Sequence, residues 1–124
     1  MDINLRKHDL KTQHGNKEIL IIDMEGYLDI QSIPKIKSEI KKSLENTYYC
    51  IINLKKMVLL DSCALGLIVS ILRFVNNNNG ILKLTNLSSD IKRIFHISRL
   101  DKVFDICNSE YEALEKIEKE IKKD

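Results

Sequence analysis

The hydrophobic positions in the first part of the chain predict two strands. Residues Ile3–Lys11 and Lys17–Met24 flank the segment Gln13–Asn16, whose Gly and Asn residues are typical of a turn. The second segment contains the unbroken apolar run Ile19–Ile22, which is typical of a strand covered on both faces. Three later segments predict further strands, namely Tyr48–Leu54, Ile81–Leu84 and Val103–Ile106.

Between the strands, apolar residues recur every three or four positions, which is the spacing of one helix face. Ser32 is expected to cap the first helix, and Pro34, the only proline, falls in its first turn, where a missing amide costs little. The apolar face of this helix consists of Ile33, Ile36, Ile40 and Leu44.

A second helix is predicted from Asp61 or Ser62 to about Val75. This segment is apolar nearly all round, which indicates a helix buried on more than one side. The segment Asn76–Gly80 then ends it, because Asn and Gly readily adopt left-handed backbone conformations.

Two more helices follow. The segment Asn86–Asp90 is rich in capping residues. It precedes a helix with apolar positions at Ile91, Ile94, Phe95 and Ile97. The last helix runs from about Ser109, with Tyr111, Leu114, Ile117 and Ile121 on its apolar stripe. Strands thus alternate with helices after the first pair, which predicts a mixed, layered α/β fold with right-handed crossovers.

Composition narrows the class of protein. A length of 124 residues predicts one domain, residues 1–124. Twenty Lys and Arg against eighteen Asp and Glu give a net charge of +2 with both signs mixed, and Trp is absent, so direct nucleic-acid binding is not expected. The longest uncharged apolar stretch, Ser62–Leu72, is shorter than the ~20 residues that span a membrane. The charged start of the chain and three separated cysteines indicate a cytoplasmic protein.

The usual motifs of an enzyme or a metal protein are missing. The chain contains no glycine-rich phosphate loop, no dinucleotide-binding motif and no Gly-x-Ser-x-Gly elbow. The three histidines, His8, His14 and His96, offer no close ligand pair, and no Cys-x-x-Cys occurs. We therefore expect neither a metal nor a cofactor.

Asp61 and Ser62 stand out because they are polar residues between an apolar loop and an apolar helix. They are candidate helix caps, since such residues accept hydrogen bonds from the first free amides. Ser62 is also a candidate modification site, because a phosphate at a helix N-terminus receives backbone donors and a favourable dipole. Both roles are compatible.

Three other features have alternative interpretations. Cys63 is a candidate nucleophile with His96 as its base, or a buried packing residue. Asp29 and Asp61 are a candidate carboxylate pair, or else helix caps or partner contacts. The lysines of the first helix, namely Lys35, Lys37, Lys41 and Lys42, are a solvated face or a partner-binding surface.

Four segments also carry motifs of one known family. Gly26–Ile30 with Ser32–Pro34 resembles a Gly-x-Ile/Leu-Asp segment before a first helix. Leu60–Gly66 resembles the more specific motif Met-Asp-Ser-Ser/Thr-Gly-Leu-Gly, with Cys and Ala at its fourth and fifth positions. Gly80–Leu87 and Phe95–Leu100 are similar to a fourth strand and to the end of a third helix. Together these motifs resemble the STAS domain of the bacterial anti-sigma factor antagonists.

The resemblance implies an α/β fold with a mixed central sheet of about five strands and about four helices, packed largely on one face. It also implies partner switching in transcription regulation. The unmodified antagonist binds an anti-sigma factor that is a serine kinase, the kinase phosphorylates the motif serine, here Ser62, and a phosphatase resets the cycle.

The same resemblance implies that the chain is a kinase substrate and not an enzyme. The implied partner-binding residues are Asp29, Asp61, Ser62, Cys63 and Leu65. An alternative is a STAS module that serves another signalling or transport assembly through constitutive contacts, independent of Ser62.

Overall fold

The computed structural model describes residues 2–13, 15–26, 29–45 and 47–122. Its five strands are β1 (Asp2–Thr12), β2 (Gly15–Glu25), β3 (Tyr49–Lys56), β4 (Ile81–Thr85) and β5 (Asp105–Cys107). Its four helices are α1 (Ile33–Ser43), α2 (Ser62–Asn77), α3 (Ser89–Ile97) and α4 (Glu110–Lys122). The predicted order of strands and helices is confirmed. His14 of the predicted turn, and Tyr27 and Leu28 of the segment before α1, lie outside the described residues.

The strands form one sheet in the order β1-β2-β3-β4-β5. β1 is antiparallel to β2, and the other neighbours are parallel. The carboxyl ends of β2 to β5 therefore lie at one edge of the sheet, which we call the carboxyl edge. The helices that follow these strands begin at this edge, where parallel α/β sheets commonly place their functional groups.

The sheet is covered on both faces, and β2 shows this most clearly. Leu20 and Ile22 pack in the main core, together with buried residues of α1, α2 and α3. Ile19 and Ile21 pack in a smaller cluster beneath α4. The run Ile19–Ile22 is thus buried on both sides, as predicted, and three of the four helices share one face.

Helix α2 is the most buried helix, as its composition indicates. Six of its residues are buried, including Leu67, Ile68 and Val75. It ends at Asn77, two residues later than predicted. Asn79 then adopts a left-handed conformation with φ of 56°, so the Asn-rich segment ends the helix in the expected way.

Two residues that were predicted on apolar helix faces are exposed. Ile97 is 72% exposed, because the buried face of α3 centres on Ile91 and Phe95 and a residue six positions after Ile91 points elsewhere. Tyr111 is also 72% exposed. The buried face of α4 repeats every four residues from Ala113, and Tyr111, two positions earlier, lies on the opposite side.

The last strand was predicted too early, at Val103–Ile106. A 3₁₀ turn at Leu100–Lys102 precedes it. The amides of Val103 and Phe104 both donate to the carbonyl oxygen of Leu100, at 3.0 and 2.9 Å. These amides are therefore used by the turn, and strand pairing starts only at Asp105.

Candidate functional site

The candidate residues of the sequence lie on consecutive loops at the carboxyl edge. Asp29 follows β2, and Asp61 and Ser62 follow β3. Because these strands are parallel neighbours, the loops after them share one edge of the sheet. The topology thus brings together residues that are far apart in the chain.

Asp61 caps α2, as predicted. Its backbone is extended, and its Oδ1 accepts a hydrogen bond of 2.8 Å from the amide of Ala64. Ser62 is the first residue of the helix and is exposed. The amides of Ser62 and Cys63 belong to the first turn, which has no intrahelical acceptor for them. A negative group on the Ser62 hydroxyl would therefore meet amide donors and the positive end of the helix dipole.

The loop before Asp61 exposes apolar side chains, which sequence reasoning did not identify as site residues. Met57 and Leu60 are buried and anchor the two ends of the loop, whereas Val58 and Leu59 between them are 85% and 51% exposed. Ile30, on the loop after β2, is 66% exposed. The sequence contains one indication of this surface: the loop has four consecutive apolar residues, although two buried residues are enough to anchor it. We call Ile30, Val58, Leu59 and Ser62 the carboxyl-edge surface.

Two predicted partner-binding residues, Cys63 and Leu65, are partly buried and pack against the main core. Gly66, one turn after Ser62, is exposed. The first turns of α2 therefore present mainly Ser62 and Gly66 to solvent, while Cys63 and Leu65 contribute to the fold.

Asp29 closes a 3₁₀ turn before α1. Its Oδ1 accepts from the amide of Gln31 at 3.1 Å, and its carbonyl oxygen accepts from the Ser32 hydroxyl at 2.7 Å. Ser32 occupies the cap position of α1 but makes no side-chain cap, because its backbone is already helical and its hydroxyl points back to Asp29. Asp29 and Asp61 thus each bind an amide of their own turn, which favours separate caps over a carboxylate pair.

The thiol hypothesis gains no support from the contacts of the described residues. His96, its proposed base, lies in the last turn of α3 and is hydrogen-bonded through Nδ1 to Asp101 at 3.0 Å. Cys63 is partly buried. Cys50 and Cys107 are buried, and this burial raises the pKa of each thiol.

The model of the STAS domain family matches residues 10–113. The chain belongs to the STAS domain family. The anti-sigma-B factor antagonist of Bacillus subtilis (strain 168) is 31% identical over 91 residues, which cover 73% of this chain and 84% of that protein. The anti-sigma F factor antagonist of Paenibacillus polymyxa is 22% identical over 105 residues, covering 83% and 90%.

Solved STAS structures show the same fold. The anti-sigma factor antagonist SpoIIAA in its unphosphorylated form superposes with a TM-score of 0.72 at 21% identity, covering 94% of this chain and 96% of that chain. The Bacillus cell fate determinant SpoIIAA in its phosphorylated form gives 0.66 at 21% identity, covering 94% and 99%. The mixed five-stranded sheet implied by the motifs is thereby confirmed.

On the opposite face of the STAS sheet, an ion network holds the start of α4. Arg6 of β1 pairs with Asp23 of β2 and with Glu110 of α4. Asn53 of β3 donates to Glu110 Oε1 at 2.7 Å. Hydrogen bonds from Arg6 lower the pKa of Asp23 and of Glu110, and they outweigh burial, which acts in the opposite direction.

A second network holds the middle and end of α4. Lys83 of β4 is only 4% exposed and pairs with Asp105 of β5 at 2.7 Å and with Glu120 of α4 at 2.9 Å. Burial alone would raise the pKa of Asp105, but the hydrogen bonds and charges of Lys83 and Lys116 lower it. These networks join β1 to β5 and fix α4 on the sheet, away from the helices of the main core.

Within the described residues, no three His, Cys, Asp or Glu side chains are grouped to hold a metal ion. In the same part of the chain, no helix has the length and apolar character needed to cross a membrane.

Proposed function

We propose that this STAS protein is an anti-sigma factor antagonist that changes partners through phosphorylation of Ser62. The observation that carries the proposal is the exposed Ser62 hydroxyl at the start of α2, next to the capping Asp61 and the apolar loop. The names of the relatives support the role. The existence of SpoIIAA in unphosphorylated and phosphorylated forms supports a two-state switch in a protein of this fold.

In the unmodified state, the carboxyl-edge surface combines exposed apolar side chains with a neutral hydroxyl. Val58 and Leu59 project from a loop whose ends are anchored in the core, so they are held in place before binding. Burial of apolar area stabilises a complex by roughly 25 cal/mol per Å², and a preformed surface loses little entropy on binding. This surface is suited to binding an anti-sigma factor serine kinase.

In the modified state, the same surface carries a dianion. The kinase transfers the γ-phosphoryl group of ATP to the Ser62 oxygen, with loss of the hydroxyl proton and release of ADP. The phosphate adds roughly −1.5 to −2 charges, and the free amides of the first turn of α2 stabilise it. Docking would then require desolvation of this charge beside Asp61, which weakens the complex. A phosphatase that removes the phosphate restores binding.

The two departures from the family motif are compatible with this switch. Ala64 is 1% exposed, and its amide still donates to Asp61, so the cap survives the change from Gly. Cys63 packs against the core beneath the helix start. Neither residue places a bulky side chain beside Ser62, and in this proposal the chain is a substrate with no catalytic residue of its own.

The proposal is tested by mapping phosphorylation in a native cell extract supplied with ATP. We expect Ser62 of the parent protein to be modified and the Ser62→Ala variant to remain unmodified. Ser89→Ala is the matched control, because Ser89 is also an exposed first residue of a helix at the carboxyl edge. Equal modification of the parent and Ser62→Ala would contradict the proposal and favour a constitutive interaction module.

A further inference from the structure

A groove between α1 and α2 has a chemistry that the proposed switch does not use. The groove is open and has a volume of about 610 Å³. It is lined by Phe74 of α2 and, in and just after α1, by Pro34, Lys37, Ser38, Lys41, Lys42 and Glu45. It extends along all of α1, a length of roughly 16 Å at 1.5 Å per residue. Phe74 lies twelve residues after Ser62 in α2, roughly 18 Å along the helix axis.

The side chains that line this groove include three lysines and one glutamate, Glu45, so its walls carry a net positive charge. Residues 33–45 carry four lysines and two glutamates, a net charge of +2 that equals the formal charge of the whole chain. Among the ion pairs of the described residues, none involves these four lysines. The rest of the chain has no net charge, and many of its charged side chains pair with one another. The lysines of α1 are therefore available to a partner.

The groove also has an apolar component. The Phe74 ring is half-buried, contacts Tyr48 edge-on with ring centroids 5.7 Å apart, and lies 5.2 Å from the Lys41 ammonium. A cation over an aromatic ring is held in a preferred position. The lysine beside the apolar patch is thus partly ordered before any partner binds.

The shape of the groove and the exposure of its side chains distinguish between three possible partners, namely a small anion, a membrane surface and an amphipathic helix. A site for a small anion encloses most of its ligand, whereas Ser38, Lys41 and Lys42 are exposed. A membrane-binding helix presents projecting apolar side chains, whereas Phe74 is recessed beneath Lys41. A long open groove with an apolar side and basic walls matches the way a groove binds an amphipathic helix.

We propose that the groove binds an acidic amphipathic helix of a protein partner. Carboxylates of that helix meet Lys37, Lys41 and Lys42, and one of its apolar side chains contacts Phe74. This second surface lies apart from Ser62, so its occupancy is independent of the phosphorylation state.

The test uses a fluorescein-labelled peptide of about 16 residues, with leucines at helical spacing and glutamates elsewhere, titrated with the full chain and followed by fluorescence anisotropy. We expect Lys37→Glu/Lys41→Glu to weaken binding about tenfold, because two attractions in the groove become repulsions. Lys37→Gln/Lys41→Gln, which removes charge without repulsion, weakens it severalfold. Replacing the peptide leucines by serine also weakens binding.

The matched control is Lys92→Glu/Lys102→Glu, which makes the same charge change at two exposed lysines of another part of the surface. We expect it to retain the affinity of the parent to within about twofold. The proposal is overturned by a parent that does not bind the peptide, by equal weakening in groove and control variants, or by indifference to the peptide leucines. Binding to phosphatidylserine vesicles without binding to the peptide would also overturn the proposal and would indicate that the groove binds a membrane surface.

Discussion

Substitutions of Gly66 are expected to affect stability and binding in opposite directions, which makes this position a sharp test of the proposed surface. It lies in α2 one turn after Ser62 and is exposed, and a Cβ atom built there meets no heavy atom within 4 Å. Nothing in the packing therefore requires glycine. Glycine inside a helix is less favourable than alanine by roughly 0.5–1 kcal/mol, so Gly66→Ala is expected to raise the free energy of unfolding by that amount.

This gain is large enough to measure. An unfolding entropy of about 2.1 cal/mol/K per residue, taken over 124 residues, gives ~0.26 kcal/mol per degree. The expected increase in Tm is therefore about 2–4 °C. Thermal unfolding followed by circular dichroism, together with urea unfolding at fixed temperature, measures both quantities. A lower Tm for Gly66→Ala would refute the account of this helix.

A longer side chain at position 66 is expected to weaken partner binding. Gly66→Gln also replaces a poor helix former, but it places a long side chain beside Ser62. We expect affinity for the proposed anti-sigma factor partner to fall about tenfold or more, since a closely packed interface accommodates extra atoms poorly. Asn77→Gln, an exposed position at the far end of α2, is the control. Parent-like affinity of Gly66→Gln would show that the partner does not cover this part of the surface.

Three further predictions concern the cap, the apolar loop and the ion network. Asp61→Ala is expected to lower the free energy of unfolding by about 1 kcal/mol in urea titrations, and Asp61→Asn by clearly less, because asparagine still caps; equal losses would contradict the capping role. Val58→Ser/Leu59→Ser is expected to leave Tm nearly unchanged, since both side chains are exposed before binding, and to weaken the proposed anti-sigma factor complex by at least about tenfold. Calorimetric titration measures this affinity, and an unchanged value would count against the carboxyl-edge surface. Asp23 and Glu110 have lower pKa values in the folded protein than in the unfolded chain, where they are about 4. Their ionised carboxylates therefore stabilise the fold at pH values above about 4, and this contribution is lost as the pH falls through the pKa values of the folded protein. Glu110→Gln is therefore expected to be less stable than the parent at pH 7 and to lose less on acidification, and parallel pH profiles from urea unfolding would contradict this.

Local sequence patterns predict the parts of the fold that depend on neighbouring residues. The run Ile19–Ile22 indicates a strand covered on both faces because a half-exposed strand would alternate. Asp61 before an apolar helix indicates a cap because free amides need an acceptor nearby. Both features are determined within a few residues, and the structure confirms both.

Contacts between distant residues were not predictable in this way. Arg6 and Glu110 are separated by 104 positions and meet only because α4 packs on the face of the sheet to which the Arg6 side chain points. The exposure of Tyr111 likewise depends on which side of α4 faces the sheet. The start of β5 depends on a 3₁₀ turn whose hydrogen bonds compete with strand pairing.

The candidate site was predicted in part. The motif identified Ser62 and Asp61, and the parallel sheet explains why Asp29 shares their edge. The exposure of Val58 and Leu59 was not predicted, because apolar residues are expected to be buried and only the anchoring of the loop by Met57 and Leu60 leaves them outside.

The most direct test of the central claim compares three baits, namely the parent protein, Ser62→Ala and Ser62→Asp, in a pull-down from native lysate. We expect an ATP-binding kinase to be retained by the parent and by Ser62→Ala and to be lost with Ser62→Asp, because only the last carries a negative charge at position 62, in addition to that of Asp61. Equal retention of that kinase by all three baits would contradict switching through Ser62.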